Sequence, residues 1–249
     1  MGYWPIVINV LKNSDAVLLL VDARMPELTR NKEIIEKAQR TEKEVIIIFN
    51  KTDLVSKRFL QDLKEKNKKA FFVSSTKRSG VAELKRYLEN MADDFHKTSL
   101  RVGIVGYPNV GKSTLLNLLS PKAFAKVSKI SGTTKKTAWS RSGRIRFMDS
   151  PGVIPMSDSN AKTGITSSKD PHKLKDPILV ALRIISFLRK KGNILEEFYD
   201  LDNNSGTDQE IFEAVAEKKK FKVKGGNIDE NRTAIKIIED WQRGKIKVY

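Results

Sequence analysis

The stretch Leu100–Leu116, LRVGIVGYPNVGKSTLL, determines how the rest of this chain is interpreted. Its apolar run, Leu100–Val105, predicts a buried strand, and the turn Gly106–Ser113 leads into a helix-forming segment that begins at Thr114. A strand, a G-x-x-x-x-G-K-S turn and a helix in this order are typical of a phosphate-binding loop. Glycines allow backbone N–H groups to close around an anion, and the helix N-terminus adds the positive end of its dipole. The stretch therefore predicts a site for the phosphates of a nucleotide.

Individual side chains of this loop have separate expected roles. Lys112 can reach the β- and γ-phosphates as a point charge, and the Ser113 hydroxyl can bind Mg²⁺. The other positions of the loop predicted to bind the nucleotide are Asn109, Val110, Gly111 and Thr114. A plain glycine turn between strand and helix is the alternative, and the complete motif in its strand and helix context disfavours it.

The composition bounds the class of protein. With 249 residues, of which 39% are hydrophobic, the chain can bury one α/β core and a smaller domain. Zero cysteines exclude disulfides, thiolate zinc sites and cysteine nucleophiles, and they are typical of a cytoplasmic protein. No apolar run reaches membrane-spanning length and the N-terminal segment does not resemble a signal peptide, so we expect a cytoplasmic location without membrane association.

The net charge indicates the kind of partner. A formal charge of +17 and a pI near 9.9 imply an acidic polymer, most simply nucleic acid. An anionic membrane surface is a weaker alternative as a partner. The positive charge could also have no partner, if the lysine-rich surface only maintains solubility or reflects adaptation to heat.

Other apolar runs predict further strands of a mostly parallel sheet, with helices between them. The strands are expected at Ala16–Asp22, Val45–Phe49, Ala70–Val73 and Arg144–Asp149, and the helices at Trp4–Leu11, Lys32–Arg40, Ser56–Asn67 and Val81–Met91. Towards the C-terminus, helices are expected from Pro177, around residues 193–199 and 208–218, and from Asn231. The sequence thus predicts an α/β domain followed by a small helical region.

The residues Asn50-Lys51-Thr52-Asp53 follow the second predicted strand, where open α/β sheets bind their ligands. The Asp53 carboxylate can accept hydrogen bonds from both the ring N–H and the exocyclic amine of guanine, a donor pair that adenine lacks. Such a site rejects the wrong base by roughly four to five orders of magnitude. Asn50 can bond the acceptor edge of the base and the neighbouring loop, and the Lys51 stem can lie over the base plane. Alone this tetrapeptide is an ordinary turn; beside a phosphate-binding loop it predicts a guanine site.

Two serines follow the third predicted strand. Backbone N–H groups at Ser74 and Ser75 can approach the base carbonyl, although a simple Ser/Thr turn fits these residue types equally well.

Two segments are predicted to act as switches. Residues 121–137 have turn residues and weak periodicity and include Thr133 and Thr134; a threonine there can bind Mg²⁺ only while the γ-phosphate is present. After the strand that ends at Asp149, that carboxylate would hold Mg²⁺ through water and the Gly152 N–H would sense the γ-phosphate. From Lys122 to Asp149 there are eight Lys or Arg residues and one acidic residue, so this region would also face phosphates of a partner.

In this order the motifs resemble those of a GTPase with its segments rotated, because the guanine motif comes before the phosphate-binding loop. The chain is similar to the circularly permuted GTPases of the ribosome-assembly group, the YlqF/YawG and nucleolar GTP-binding type. Asp22-Ala23-Arg24-Met25-Pro26 resembles the D-A-R-x-P signature of that group. The segments Gly225–Asp229 and Asp240–Ile246 resemble the C-terminal end of its archaeal and eukaryotic members.

The resemblance implies a P-loop GTPase domain over residues 1–160, a linker over 161–175 and a small helical RNA-binding domain over 176–249. The basic run Lys218–Lys224, with its interposed aromatic, lies in that last region and can contact RNA backbone. It implies GTP or GDP and Mg²⁺ as cofactors, and ribosomal RNA of a large-subunit precursor as the partner. Slow GTP hydrolysis would rest on three residues, Lys112, Thr134 and Gly152. A GTPase acting on another RNA such as tRNA, and a nucleotide-dependent RNA-binding module with negligible hydrolysis, are the alternatives.

Two departures from related GTPases concern the attacking water. Val153 follows Gly152 where many GTPases place a glutamine, and no histidine precedes His96, although bacterial members of the group carry one near the N-terminus. The group that orients the water is therefore not identified by the sequence. Asn109 matches an asparagine that helps to bind K⁺ in related GTPases, or it satisfies loop backbone. The three tryptophans, at positions 4, 139 and 241, are predicted to be packing anchors rather than base-stacking platforms.

Overall fold

The computed structural model describes residues 4–121, 138–153, 164–166, 170–202 and 206–248. The chain forms two compact units: residues 1–53 with 60–157, and residues 54–59 with 158–249. Thr133 and Thr134 lie outside the described residues. The predicted domain boundaries at residues 160 and 175 stay a prediction, and residues 154–163 and 167–169 also lie outside the described residues.

The first unit is built on a six-stranded sheet with the strand order β3-β2-β1-β4-β6-β5. Its strands are β1 (Ala16–Asp22), β2 (Glu44–Asn50), β3 (Phe71–Phe72), β4 (Leu100–Gly106), β5 (Ala138–Ser142) and β6 (Ile145–Asp149). All neighbouring pairs are parallel except β5 with β6. Every residue of β1 is buried, as expected for a central strand that is covered on both faces.

Helices cover the sheet of the first unit. They are α1 (Trp4–Asn13), α2 (Pro26–Thr29), α3 (Lys32–Arg40), α4 (Lys57–Lys66, of which residues from Leu60 belong to this unit), α5 (Val81–Asp94) and α6 (Lys112–Leu119). Their apolar faces pack on the strands: Leu84, Leu88, Leu115 and Leu116 belong to the same buried cluster as β1 and β4. Helix α3 begins where the Asn31 side chain accepts a hydrogen bond from the Ile34 N–H at 3.2 Å.

The second unit is helical. Its helices are α7 (Pro177–Arg189), α8 (Ile194–Tyr199), α9 (Asp208–Lys218) and α10 (Glu230–Gln242). Trp241 is fully buried, packs edge-on against Phe187 and donates its indole N–H to the carbonyl of Ile165 at 2.8 Å. The Tyr199 hydroxyl donates to Asp240 at 3.0 Å in the same core. Within the described residues, no helix of either unit is both long and apolar enough to cross a bilayer.

The fold class predicted from the sequence is confirmed: a mostly parallel sheet flanked by helices, with a helical C-terminal region. Among the described strands and α-helices, two were missed. The prediction had no strand at Ala138–Ser142, because this edge segment, AWSRS, lacks an apolar run, and it had no helix at Pro26–Thr29. The prediction that all three tryptophans are packing anchors was wrong for Trp139, which is 47% exposed on the edge strand.

Candidate functional site

The carboxyl ends of the parallel strands bring the predicted motifs to one edge of the sheet. Asp22, at the end of β1, pairs in register with Asn50 at the end of β2. On the other side of β1, Leu20 pairs with Gly106, where the phosphate-binding loop begins. Asp149 ends β6 beside the strand that leads into this loop, opposite Ile104. A ligand at this edge would therefore meet loops from both sides of β1.

The phosphate-binding loop depends on a left-handed turn before α6. Gly111 has φ +100° and Asn109 has φ +59°, both in the region that favours glycine or asparagine. A Cβ added at Gly111 would lie 2.2 Å from the side-chain nitrogen of Asn50. Glycine is thus required by the backbone conformation and by the side chain packed against it. Helix α6 begins at Lys112, two residues earlier than predicted.

Lys112 is a buried cation held by the loop itself. Its Nζ donates to the carbonyl oxygens of Gly106 at 3.1 Å and Tyr107 at 2.7 Å. Burial lowers the pKa of Lys112 to about 8, although the nearby Asp149 charge opposes that shift. A positive charge that is poorly solvated and satisfied by two neutral carbonyls gains strongly from an incoming phosphate.

Ser113 and Asp149 form the oxygen pair beside Lys112. The Ser113 hydroxyl lies 3.3 Å from Asp149 Oδ2, and Asp149 is buried at the end of β6. A hydroxyl and a carboxylate are hard oxygen ligands of the type that Mg²⁺ prefers, so the donor chemistry fits this cation. Groups of three or more His, Cys, Asp or Glu residues suited to a metal are absent from the part of the chain that the structure describes.

The segment Asp149–Gly152 lies directly against the phosphate-binding loop. A Cβ at Gly152 would stand 2.5 Å from Pro108 Cγ and 2.6 Å from Pro108 Cα. The next N–H, of Val153, donates to the Gly106 carbonyl at 3.0 Å. Val153 itself is buried and apolar, so its side chain has no means of orienting water. Val153 therefore cannot take the role of the glutamine that many GTPases place at this position.

Asn50 connects the loop after β2 to two other loops. Its side-chain nitrogen donates to the Val110 carbonyl at 2.8 Å. Its oxygen accepts from the Ser75 N–H at 3.1 Å and from the Ser75 hydroxyl at 3.0 Å. These bonds tie the guanine motif to the phosphate-binding loop across sixty positions of sequence. Of the two roles predicted for Asn50, binding the neighbouring loop is the one that these contacts use.

Asp53 is oriented by the serine that follows β3. The Ser74 hydroxyl donates to Asp53 Oδ1 and itself accepts from the Lys77 N–H at 3.0 Å. Asp53 is half-buried. This hydrogen bond to one carboxylate oxygen limits the rotation of the Asp53 side chain, which favours recognition through two parallel hydrogen bonds.

Beneath Lys51 lies a buried cluster of charges whose role the sequence did not reveal. Lys51 donates to Asp22 Oδ2 at 2.7 Å, and Arg24 donates to the same carboxylate from Nη2 at 2.9 Å and from Nε at 3.1 Å. Asp22 and Arg24 are both fully buried. Burial alone would raise the pKa of Asp22, but the charges of Arg24 and Lys51 outweigh it and hold that pKa well below its usual range.

The D-A-R signature is therefore the anchor of the guanine motif. It fixes the end of the Lys51 side chain, whose backbone has the unusual φ of +65°. A carboxylate at the end of a fully apolar strand, followed two residues later by arginine, is the sequence signal that could have found it.

All twelve predicted nucleotide-binding positions are thus brought together at one edge of the first unit. They are Asn50, Lys51, Asp53, Ser74, Ser75, Asn109, Val110, Gly111, Lys112, Ser113, Thr114 and Gly152. Thr134, predicted for both catalysis and Mg²⁺, lies outside the described residues.

Two family models and two solved structures are similar to this chain. The RsgA GTPase family matches residues 7–155, and the family described as 50S ribosome-binding GTPase matches residues 101–221. The fold is similar to YlqF in its GDP-bound form, with a TM-score of 0.65 and 22% identity over 97% of this chain and 96% of that one. GNP-bound YlqF from T. maritima matches with a TM-score of 0.62 and 22% identity over 96% of this chain and 92% of that one.

Several curated proteins are similar over nearly the whole chain. An uncharacterized GTP-binding protein of Methanocaldococcus jannaschii is 36% identical over 98% of this chain and 66% of its own length. Nucleolar GTP-binding protein 2 of Pneumocystis carinii is 29% identical over 98% of this chain and 52% of its own length. Ribosome biogenesis GTPase A of Bacillus cereus is 29% identical over 96% of this chain and 86% of its own length. The chain spans between half and two thirds of the length of the first two relatives.

Proposed function

Since the chain belongs to the RsgA GTPase family and is a circularly permuted GTPase of the YlqF type, we propose that it is a GTP-hydrolysing switch that binds ribosomal RNA and assists large-subunit assembly. One observation carries the nucleotide part of the proposal. Asn50 joins the phosphate-binding loop, through Val110, to the serine loop after β3, through Ser75. The base-side and phosphate-side loops are therefore built as one connected site for a guanine nucleotide.

Each side chain at this edge has a role in the proposal. Asp53 accepts from guanine, Lys51 lies over the base, and Asn50 with Ser74 and Ser75 holds these groups in position. Backbone N–H groups of residues 109–114 surround the phosphates, and the Asn109 side chain is proposed to help bind K⁺.

Catalysis is proposed to rest on charge neutralisation at the γ-phosphate. Lys112 exchanges its two carbonyl partners for phosphate oxygens, and their negative charge neutralises the charge of its amine. Ser113, Asp149 and Thr134 would hold Mg²⁺, which supplies further positive charge at the phosphates when bound. The Gly152 N–H and Thr134 would sense the γ-phosphate, so that the loss of this group releases both switch segments.

The helical unit is proposed to contribute RNA contacts through the basic run Lys218–Lys224. The aromatic ring inside this run, Phe221, is covered by the Arg232 guanidinium at 4.3 Å from its centre. Because Arg232 covers the Phe221 ring, the run is better suited to bind RNA phosphates through its lysines than to stack a base on Phe221. The proposal also includes a GTPase domain (1–160), a linker (161–175) and an RNA-binding domain (176–249), together with a cytoplasmic location.

A GTP hydrolysis assay with and without purified large ribosomal subunits or their precursors tests this function. We expect slow turnover by the protein alone and faster turnover with the particles, with small subunits as the matched control. Equal rates in all three mixtures would contradict a role in large-subunit assembly.

The same preparation distinguishes the two alternatives. Tight GTP binding without phosphate release in a single-turnover assay would indicate a nucleotide-dependent RNA-binding module. Sequencing of RNA that co-purifies at moderate salt identifies the partner: ribosomal RNA is expected, and predominant tRNA would favour the GTPase that acts on another RNA.

A further inference from the structure

The outer edge of the sheet carries a surface that the nucleotide site does not use. Trp139 lies on β5, the edge strand, and is 47% exposed. Tryptophan is highly buried on average, so exposure of nearly half of this side chain in an ordered strand is unusual. Together with Arg101, Ser140, Arg141 and Arg146, it lines a shallow depression of about 350 Å³. We call these five residues the Trp139 surface.

The strand register places three arginines of the Trp139 surface side by side. Arg141 on β5 lies opposite Arg146 on β6, and Arg146 lies beside Arg101 on β4. Like charges directly opposite each other destabilise a sheet. This row therefore lowers the stability of the isolated protein, and an anionic partner would remove the repulsion.

The protein neutralises this row only in part. Arg101 donates from Nη2 to Asp15 Oδ1 at 2.9 Å. Arg141 donates from Nε to the Gly143 carbonyl at 2.9 Å, which leaves its charge uncompensated. Across the described ranges, no carboxylate forms an ion pair with Arg141 or Arg146, and both side chains are exposed. Two charged guanidinium groups therefore face solvent beside an exposed indole.

We propose that the Trp139 surface binds single-stranded RNA, with one base stacked on the Trp139 ring and adjacent phosphates paired with Arg141 and Arg146. Residues two apart in a strand point to the same face, so Trp139 and Arg141 can act on neighbouring groups of one RNA strand. Aromatic stacking combined with basic side chains along the backbone is how proteins hold single strands. A duplex is a poorer ligand, because its base faces are already stacked on each other.

The hairpin of β5 and β6 connects the two predicted switch segments. In the chain, β5 directly follows the predicted switch segment 121–137, and β6 ends at Asp149. RNA on the Trp139 surface would thus contact the segment that lies between the switches. The inference rests on the proposed RNA partner and gives it a surface on the first unit in addition to the basic run of the helical unit.

Fluorescence anisotropy with a labelled single-stranded RNA of about ten nucleotides tests the stacking contact on the full chain. Trp139→Ala should weaken binding about 5- to 100-fold, and Trp139→Phe, which keeps an aromatic face, should retain most of it. Phe95→Ala is the matched control, because Phe95 is an exposed aromatic, 38% accessible, on the same unit. In an RNA that carries 2-aminopurine, wild type should quench the fluorescent base and Trp139→Ala should not.

The phosphate contacts are tested separately through salt dependence. The double variant Arg141→Gln/Arg146→Gln should reduce the slope of log affinity against log salt by about 0.7 for each phosphate that is no longer neutralised. The double variant Arg40→Gln/Arg86→Gln, which removes two exposed arginines of α3 and α5, is the control for net charge and should leave the slope unchanged.

The outcomes separate this inference from the proposed function. If wild type binds no RNA, both the RNA partner and the Trp139 surface are refuted. If wild type binds RNA but Trp139→Ala behaves like Phe95→Ala, the inference alone is overturned. If Trp139→Ala loses binding of an acidic peptide such as oligoaspartate while its RNA binding is unchanged, the surface belongs to a protein partner and the inference is also overturned.

Discussion

Replacing Asp22 by Asn should destabilise the first unit more than any other single charge change at the site. The substitution keeps the shape of the side chain but removes the carboxylate that Arg24 and Lys51 share at 2.9 and 2.7 Å. Arg24 is fully buried, so its charge would be left without compensation in the interior. Removing one partner of a buried ion pair costs about 3–5 kcal/mol. With about 2–4 °C of Tm for each kcal/mol in a protein of this size, Tm should fall by about 6–20 °C.

Asp15→Asn is the matched control for this experiment. Asp15 immediately precedes the same strand and pairs with Lys97 and Arg101, which are 39% and 45% exposed. Although burial alone would raise it, hydrogen bonds from Arg101 and Lys97 lower the pKa of Asp15 to about 2. Solvent screening of these exposed partners limits the loss to about 1 kcal/mol.

The pH dependence has a definite sign. The folded-state pKa of Asp22 lies below its unfolded value, so its stabilisation is complete above about pH 4 and is lost as the pH falls towards the folded-state pKa. The stability difference between wild type and Asp22→Asn should therefore be constant from about pH 5 to 8 and shrink below about pH 4. Thermal denaturation measures this stability difference, and hydrogen exchange of the β1 amides measures it for the first unit. A loss for Asp22→Asn no larger than that for Asp15→Asn would refute the reasoning.

Two further predictions concern the phosphate-binding loop. Gly111→Ala should abolish detectable nucleotide binding, because the new Cβ would meet Asn50 Nδ2 at 2.2 Å at a φ of +100°, whereas Gly143→Ala, which has open space around it, should bind normally by calorimetry. GTP affinity should fall as the pH rises above about 8, where the buried Lys112 amine loses its proton before nucleotide binds. Lys112→Met should bind GTP at least tenfold more weakly than wild type. The ratio of wild-type affinity to variant affinity should decrease above pH 8; titration of GTP itself affects both proteins equally and cancels in this ratio. A constant ratio would contradict the assigned role of the amine.

Much of the first unit could be predicted because its signals are local. Continuous apolar runs such as Ala16–Asp22 give buried parallel strands, and the motif after Leu100–Val105 predicts the turn and helix that follow β4. The element β5 could not be predicted in this way, because an edge strand needs neither an apolar run nor two covered faces.

The contacts that hold the site together are not local, and sequence patterns do not encode them. The bond from Asn50 to Val110 and the sharing of Asp22 by Arg24 and Lys51 depend on the strand register. The exposure of Trp139 likewise follows from its place at the edge of the sheet. Its residue type alone would favour burial. Residue types indicate which roles are possible, and the strand order and register decide which side chains lie close enough to take them.

The central claim, that loops from both sides of β1 form one guanine nucleotide site around Asp53 and Lys112, is tested most directly by nucleotide competition with wild type and Asp53→Asn. Wild type should prefer GTP over ATP by roughly four orders of magnitude or more. Asp53→Asn should lose guanine binding and gain xanthosine triphosphate, because an asparagine amide can donate to the carbonyl that xanthine has in place of the guanine amine. Equal affinity of wild type for GTP and ATP, or an unchanged preference for GTP in Asp53→Asn, would contradict the account.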